Sequence, residues 1–312
     1  VVRLQQLRYV VAVADERHFT HAAARLHVSQ PALSTQVRAL EEELGAALFD
    51  RTRGDVALTA AGEAFLPWAR QALADLEAGR ADVRELAGRR RGRLALGATP
   101  SLTTGLLPAV LARLHARYPG IELRLHEAGS PDLVDQLVAG LLDLALVILP
   151  TAVAGVQTIA LAHEELVLAV PPDHPLAARA AVAVSDLEGL PLVVFREGYD
   201  LRARTYAICQ AAGFAPALAL EGGEMDGVLA MAAAGLGPTV VPVSALRPEL
   251  PLVAVRFAGV APTRTVGLAE RTHRPRPAAA SAFVEELTGT LAGGWPGGPL
   301  PGLTLLEPDP PV

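Results

Sequence analysis

The chain contains no lysine and a single cysteine, Cys209. One cysteine excludes an intramolecular disulfide and any cysteine-based zinc site. All 27 basic residues are arginine, which beside so much alanine, glycine and proline reflects a GC-rich genome and needs no functional explanation. No basic segment followed by a long apolar run stands at the N-terminus, so no secretory signal is read and a cytoplasmic address is expected. Unbroken apolar runs are scarce too. The uncharged stretches 144–162 and 227–246 are interrupted by Pro150, Gly155 and Gln157, and by Gly235, Gly237, Pro238 and Pro242. Such breakers suit buried strand–turn–helix units better than a membrane span of about 20 residues. At 51% hydrophobic and 19% charged residues, the composition excludes a disordered chain, and 312 residues allow two domains with a substantial core.

What is present is unevenly charged. Residues 1–93 hold 14 arginines and 12 acids, a balance of +2; residues 94–312 hold 13 and 21, a balance of −8. Residues 1–40, with five arginines against two acids, carry a basic bias of +3. Helical spacing of Leu4, Leu7, Val10, Val11 and Ala14 gives a first helix, and Thr20 is the expected cap of a second. A third opens at Ser29, with Pro31 in its first turn and Gly45 past its end. Its Leu33, Val37, Leu40 and Leu44 form one buried stripe, leaving Gln30, Pro31, Ser34, Thr35 and Arg38 on the other face. Two short strands around "TRGD" make a hairpin, so the head reads as a winged helix–turn–helix. Phe65, Ala69, Ala72, Leu76, Gly79, Val83 and Leu86 then repeat at heptad spacing, which predicts a long helix pairing with a second copy, kinked near Pro67.

From Arg93 onward short apolar strands alternate with helices, the pattern of doubly wound α/β lobes. The helices are expected at 106–118, 130–139, 201–212, 225–234 and 278–291. The Pro- and Gly-rich tail 293–312 is expected to be disordered.

The run "FTHAAARLHVSQPALSTQVRALEEELGAALFDRTRGDVALTAAG" resembles the N-terminal domain of LysR-type transcriptional regulators. "LVLAVPPDHPLA" and "AAAGLGPTVVP" are similar to the family's effector domain, and the resemblance covers residues 3–292. It implies a repressor or activator with a periplasmic-binding-protein-like, two-lobed α/β effector domain, assembled from homodimers into a homotetramer and contacting RNA polymerase. The expected domains are a DNA-binding head (1–60), a linker helix for dimerisation (61–91), an effector domain (92–292) and the tail. Within the effector domain, lobe I takes 92–163 and 265–292, and lobe II takes 164–264.

On double-stranded promoter DNA, a recognition helix presents residues near its N-terminus to base edges. Gln30 can pair bidentately with adenine, Ser34 and Thr35 can serve several bases, and Arg38 can reach a guanine or a phosphate. On the hairpin, Arg53 suits a phosphate or the minor groove, and Arg51 the DNA backbone. Thr35 stands where the family often has arginine, and Asp55 adds a negative charge at the hairpin tip. Both predict a shallow salt dependence.

Ligands of open α/β sheets lie beyond the carboxyl ends of strands. That points to Thr99, Pro100, Ser101, Ser130, Leu149, Phe195 and Arg196 as effector contacts. The expected effector is a small organic acid paired to Arg196, with Phe195 suiting an aromatic one. Two plainer readings stand beside this: Ser130 as its helix cap, and Arg196 as a surface residue. Cys209 reads as buried core, and His18 and His21 as turn or DNA-backbone residues. No cofactor, metal site or membrane contact is expected, nor an enzymatic activity, since no phosphate-binding loop or nucleophile elbow occurs. The rival reading is a solute-binding or enzymatic α/β domain carrying an accessory helical head.

Overall fold

A computed structural model of the chain describes residues 2–53, 55–86, 92–247, 249–272, 274–296 and 298–306; the side chains of residues 51–53, 55, 77, 78 and 81–86 lie outside the described set. The chain divides into two compact units. One comprises Val1–Arg91 with Val138–Leu141, the other Gly92–Leu137 and Leu142–Val312.

The first unit runs α1 (Leu4–Glu16), α2 (Phe19–Arg25), α3 (Gln30–Leu44), β1 (Phe49–Arg53), β2 (Asp55–Leu58) and α4 (Ala60–Leu86). β1 and β2 pair antiparallel as the wing. Leu33, Val37 and Leu40 of α3 are fully buried and pack with Val10 and Val13 of α1 and Ala22 of α2. The Ser29 hydroxyl accepts the Ala32 N–H at 3.4 Å, and Gly45, at φ 73°, closes the helix by donating its N–H to the carbonyls of Glu41 and Glu42. At α2 the cap is His18 rather than Thr20. Thr20 already lies inside the helix, and its N–H donates to His18 Nδ1 at 3.2 Å.

Gly62 is required where α4 crosses the wing, because a Cβ there would overlap the Leu48 carbonyl oxygen. At about 1.5 Å per residue, α4 spans roughly 40 Å. The first part of its heptad seam is absorbed within the chain: Ala69 is buried and Phe65 packs on the core of the head. Trp68, 73% exposed, is a large apolar residue that this helix leaves open.

The second unit begins with β3 (Arg93–Ala98), α5 (Pro100–Gly105), α6 (Leu107–Arg117), β4 (Glu122–Glu127), α7 (Ser130–Val138), β5 (Leu144–Leu149) and β6 (Val156–Val170). It continues with β7 (Ala181–Val182), β8 (Pro191–Val194), α8 (Asp200–Ala211), β9 (Ala217–Glu221), α9 (Met225–Ala233) and β10 (Thr239–Pro242). β11 (Val253–Phe257), β12 (Thr263–Arg271), α10 (Ala278–Ala292) and β13 (Leu303–Leu305) complete it. Strands β4-β3-β5-β12-β6-β11-β7 form one sheet, with β10 and β13 also paired to β6, while β8 and β9 pair separately. Only β4, β3 and β5 run parallel in lobe I; β12 lies antiparallel to both β5 and β6. The sheet is therefore mixed rather than doubly wound throughout.

Each lobe has its own core. Leu94, Leu96, Val110, Leu114 and Phe283 are among those filling lobe I, and Leu168, Val193, Leu201 and Val241 among those filling lobe II. The two long strands β6 and β12 serve both lobes, and the expected lobe boundaries fall inside them, at the cross-strand pair Glu164–Arg264.

The tail differs from its expected disorder. Trp295 is buried at 5% exposure in the core of lobe I, and β13 pairs antiparallel with β6. Pro301 and Gly302 lie in the turn that leads into β13. Residues 307–312 lie outside the described set.

Candidate DNA-reading and ligand-binding sites

On α3, Gln30, Pro31, Thr35 and Arg38 are exposed and Ser34 is half-buried, all on the face opposite the Leu33–Val37–Leu40 stripe. Two other arginines of the first unit are engaged. Arg25 bridges Asp15 at 3.2 Å and Glu16 at 2.9 Å, and Arg70 holds Asp15 at 2.6 Å. Among the described residues Arg38 has no ion-pair partner, so its charge is available to an external anion. Arg51 and Arg53 have backbones on β1, but their side chains, with that of Asp55, lie outside the described residues.

A cleft of about 450 Å³ separates the lobes of the second unit; Ser130, Val134 and Ile148 line it from lobe I and Tyr199, Asp200 and Ala203 from lobe II. Ser130 does not cap its helix with its side chain: its hydroxyl accepts the Ile148 N–H at 2.9 Å and so ties α7 to β5. Thr99 is buried and its hydroxyl lacks a hydrogen-bond partner. Pro100 begins α5 and is buried. Ser101 is fully buried and accepts a hydrogen bond from Arg264 at 2.9 Å. Leu149 contributes its carbonyl oxygen, which accepts from Arg204 across the cleft at 3.4 Å.

Of the seven expected contacts, Ser130 alone is among the residues that line this cleft; Thr99, Pro100, Ser101 and Leu149 stand outside its lining, and Phe195 and Arg196 are committed to other partners. Phe195 is fully buried in the core of lobe II, stacked on Tyr199 at 4.8 Å between ring centroids, so it has no surface to offer a ligand. Arg196 is absent from the cavity wall and bonds Glu224 at 2.9 Å. An aromatic and an arginine at a strand end resemble ligand contacts in sequence; here the first fills the core and the second has an acid partner.

The residues missed in sequence sit where the lobes meet. Arg264 and Glu164, 1% and 0% exposed at their side chains, form an ion pair at 2.8 Å. Glu164 also accepts the Ser244 N–H at 2.8 Å, so this one pair grips Ser101 of lobe I and Ser244 of lobe II. Arg264 Nη2, Tyr199 OH, Asp200 Oδ2 and Thr99 Oγ1 are buried without hydrogen-bond partners. Arg264 lies within electrostatic reach of both Tyr199 and Asp200. Buried polar groups are nearly always paired, so such a cluster needs water or a ligand to complete it. Burial raises the Asp200 carboxyl above its ordinary value, against the pull of Arg264 and Arg204. The available signal was weak, because each charge sits among polar neighbours, beside His163 and Glu165 in β6 and between Thr263 and Thr265 in β12.

Near the cleft, Glu127 at the end of β4 is within electrostatic reach of Glu224, the residue before α9, and of Asp226. Burial is the first cause that raises Glu127, opposed by a hydrogen bond from Thr103 and reinforced by Glu224 and Asp226. A raised carboxyl supports the folded pairing while protonated and loses it as pH climbs through the folded-state pKa. The contact between the lobes at this point is therefore expected to weaken as pH rises above the usual carboxylate range. An NMR titration of the Glu127 carboxyl should show that late step, and Glu127→Gln should remove the accompanying stability change.

Residues 4–63 match the family model described as bacterial regulatory helix-turn-helix protein, lysR family, and residues 87–292 match the LysR substrate binding domain. A "Probable hydrogen peroxide-inducible genes activator" of Streptomyces viridosporus is 39% identical, with 92% of this chain and 93% of that protein covered. A full-length structure of an OxyR point variant from Pseudomonas aeruginosa is 33% identical, covers 92% of this chain and 95% of its own, and has a TM-score of 0.73. Full-length CbnR, a structure complexed with its target DNA, is 27% identical, covers 93% of this chain and 100% of its own, and has a TM-score of 0.66. With the winged head, the two-lobed unit and both family models in agreement, the chain belongs to the LysR family of bacterial transcriptional regulators.

Proposed function

We propose that this regulator reads operator DNA with Gln30, Ser34, Thr35 and Arg38, and takes its signal as a small molecule held non-covalently between its lobes. The observation that carries the second part is the cleft with unpartnered polar groups in its wall, in a chain whose single thiol is buried. The peroxide response named for the Streptomyces relative is the second reading, favoured by 39% identity. Against it, Cys209 is 1% exposed and burial pushes its thiol up, away from the reactive thiolate.

The organic acid expected from the sequence loses its anchor with Arg196. Asp135 and Asp200 line the cavity, and the guanidinium in its wall, Arg202, bonds Glu221 at 2.7 Å. A neutral or positively charged ligand suits that wall better. A thermal-shift panel of anionic, neutral and cationic metabolites tests this: stabilisation by the anionic set alone would contradict it.

For DNA, a bidentate base contact contributes about 1–3 kcal/mol of discrimination. Gln30→Ala should weaken operator binding by that amount, and a gel-shift titration should show an unchanged salt slope. Thr35→Arg should steepen the slope of log K against log salt by about 0.9, one added phosphate contact. Assembly into a homodimer and then a homotetramer, and contact with RNA polymerase, are carried forward from the family resemblance; exposed Trp68 on α4 supports self-association. Light scattering of Trp68→Ala should show a dimer weaker than wild type.

A further inference from the structure

At residues 161–165, β6 passes from lobe I to lobe II, with β12 on one side. On its other side lies chain from beyond residue 292, where the match to the substrate-binding model ends. Trp295 anchors this segment in the core of lobe I, among residues that include Phe283 and Leu287. The chain then turns and β13 pairs with Glu164, His163 and Ala162. Two further backbone hydrogen bonds extend the pairing: Glu165 N–H donates to Gly302 O at 2.7 Å, and Leu306 N–H donates to Leu161 O at 2.9 Å.

The contact at Gly302 is close. Gly302 has φ 91°, and a Cβ there would come within 2.8 Å of Glu165 Oε2. That carboxylate holds Arg256 of β11, in lobe II, at 2.7 Å. The segment is thus fixed to lobe I by an indole and abuts a residue ion-paired to lobe II. Between these points it is hydrogen-bonded along the crossing strand, beside the buried Glu164–Arg264 pair.

We propose that Trp295 and residues 298–306 form a strap across the interlobe hinge, which sets the angle between the lobes and thereby the regulator's basal output. Any twist of β6 at residues 162–165 shears the β6–β13 ladder, so the strap opposes lobe rotation while it stays paired. A strand that merely covered an edge would add stability without biasing the angle. The inference rests on the proposed function's reading that the signal is taken between the two lobes.

The test uses the full chain with spin labels at Ala116→Cys in lobe I and Glu188→Cys in lobe II, on a Cys209→Ser background. Thr304→Pro places a residue without an N–H at the position paired with His163. A chain stopped after Pro299 keeps Trp295 and lacks β13, and serves if the proline variant fails to fold. The strap predicts a shifted or broadened interlobe distance distribution and at least a threefold change in reporter expression from the protein's own upstream DNA, with no ligand added. An unchanged distance distribution overturns the strap, and a changed one with unaltered expression overturns its regulatory role. Neither readout needs an effector, so failure of every compound in the metabolite panel would count against the cleft reading and leave the strap result intact.

Discussion

Arg264→Met is expected to destabilise the second unit by about 3–5 kcal/mol, the cost of leaving one member of a buried ion pair without its partner. The Glu164 carboxylate, 0% exposed, would keep the Ser244 N–H as a hydrogen-bond donor but lose the guanidinium 2.8 Å away. The Ser101 hydroxyl would lose its donor as well. At about 2–4 °C per kcal/mol for a unit of this size, the thermal midpoint should fall by roughly 10 °C. Replacing both partners removes the orphaned charge, so Glu164→Leu with Arg264→Met should recover most of the loss. A single-variant loss below about 1 kcal/mol, typical of an exposed pair, would mean that the pair is hydrated. Differential scanning calorimetry of the wild type and these two variants checks this.

Gly129→Val is expected to hold the lobes apart. A Cβ at Gly129 would overlap the carbonyl oxygen of Gly198, so two backbones, one from each lobe, touch at this point. Neither is the end of a flexible side chain that could swing aside. Overpacking of this kind costs about 1–3 kcal/mol, and the cost falls on the form in which the lobes touch. Each 1.4 kcal/mol is about a factor of ten in affinity, so a cleft ligand should bind about five- to a hundredfold more weakly. Calorimetric titration with the most stabilising compound of the panel measures this, with DNA binding by the same variant as a control for the head. Unchanged affinity would mean that the ligand is held by one lobe.

The head is the more legible half of the sequence because its interactions are local. The Leu33–Val37–Leu40 stripe, the Ser29 cap and the Gly45 stop each depend on residues within a few positions of one another. The second unit depends on partners far apart. Glu164 and Arg264 are 100 residues apart, and charged residues are by default assigned to the surface. Phe195 and Arg196 sit at a strand end as ligand contacts would, but core packing and Glu224 claim them. The N-terminal part of β6 is hard to see because "VQTIALAH" carries no clean alternation, and its register is set by β12. Composition misleads at the tail: Trp295 and the Leu303–Leu305 strand outweigh its prolines and glycines.

The central claim is that the signal enters without thiol chemistry. Its most direct test is a footprint on the upstream DNA by wild type and Cys209→Ala, each with and without hydrogen peroxide. The account predicts the same footprint in all four samples, because the one thiol is buried in α8 and held protonated. A footprint that changes with peroxide in wild type and not in Cys209→Ala would contradict it.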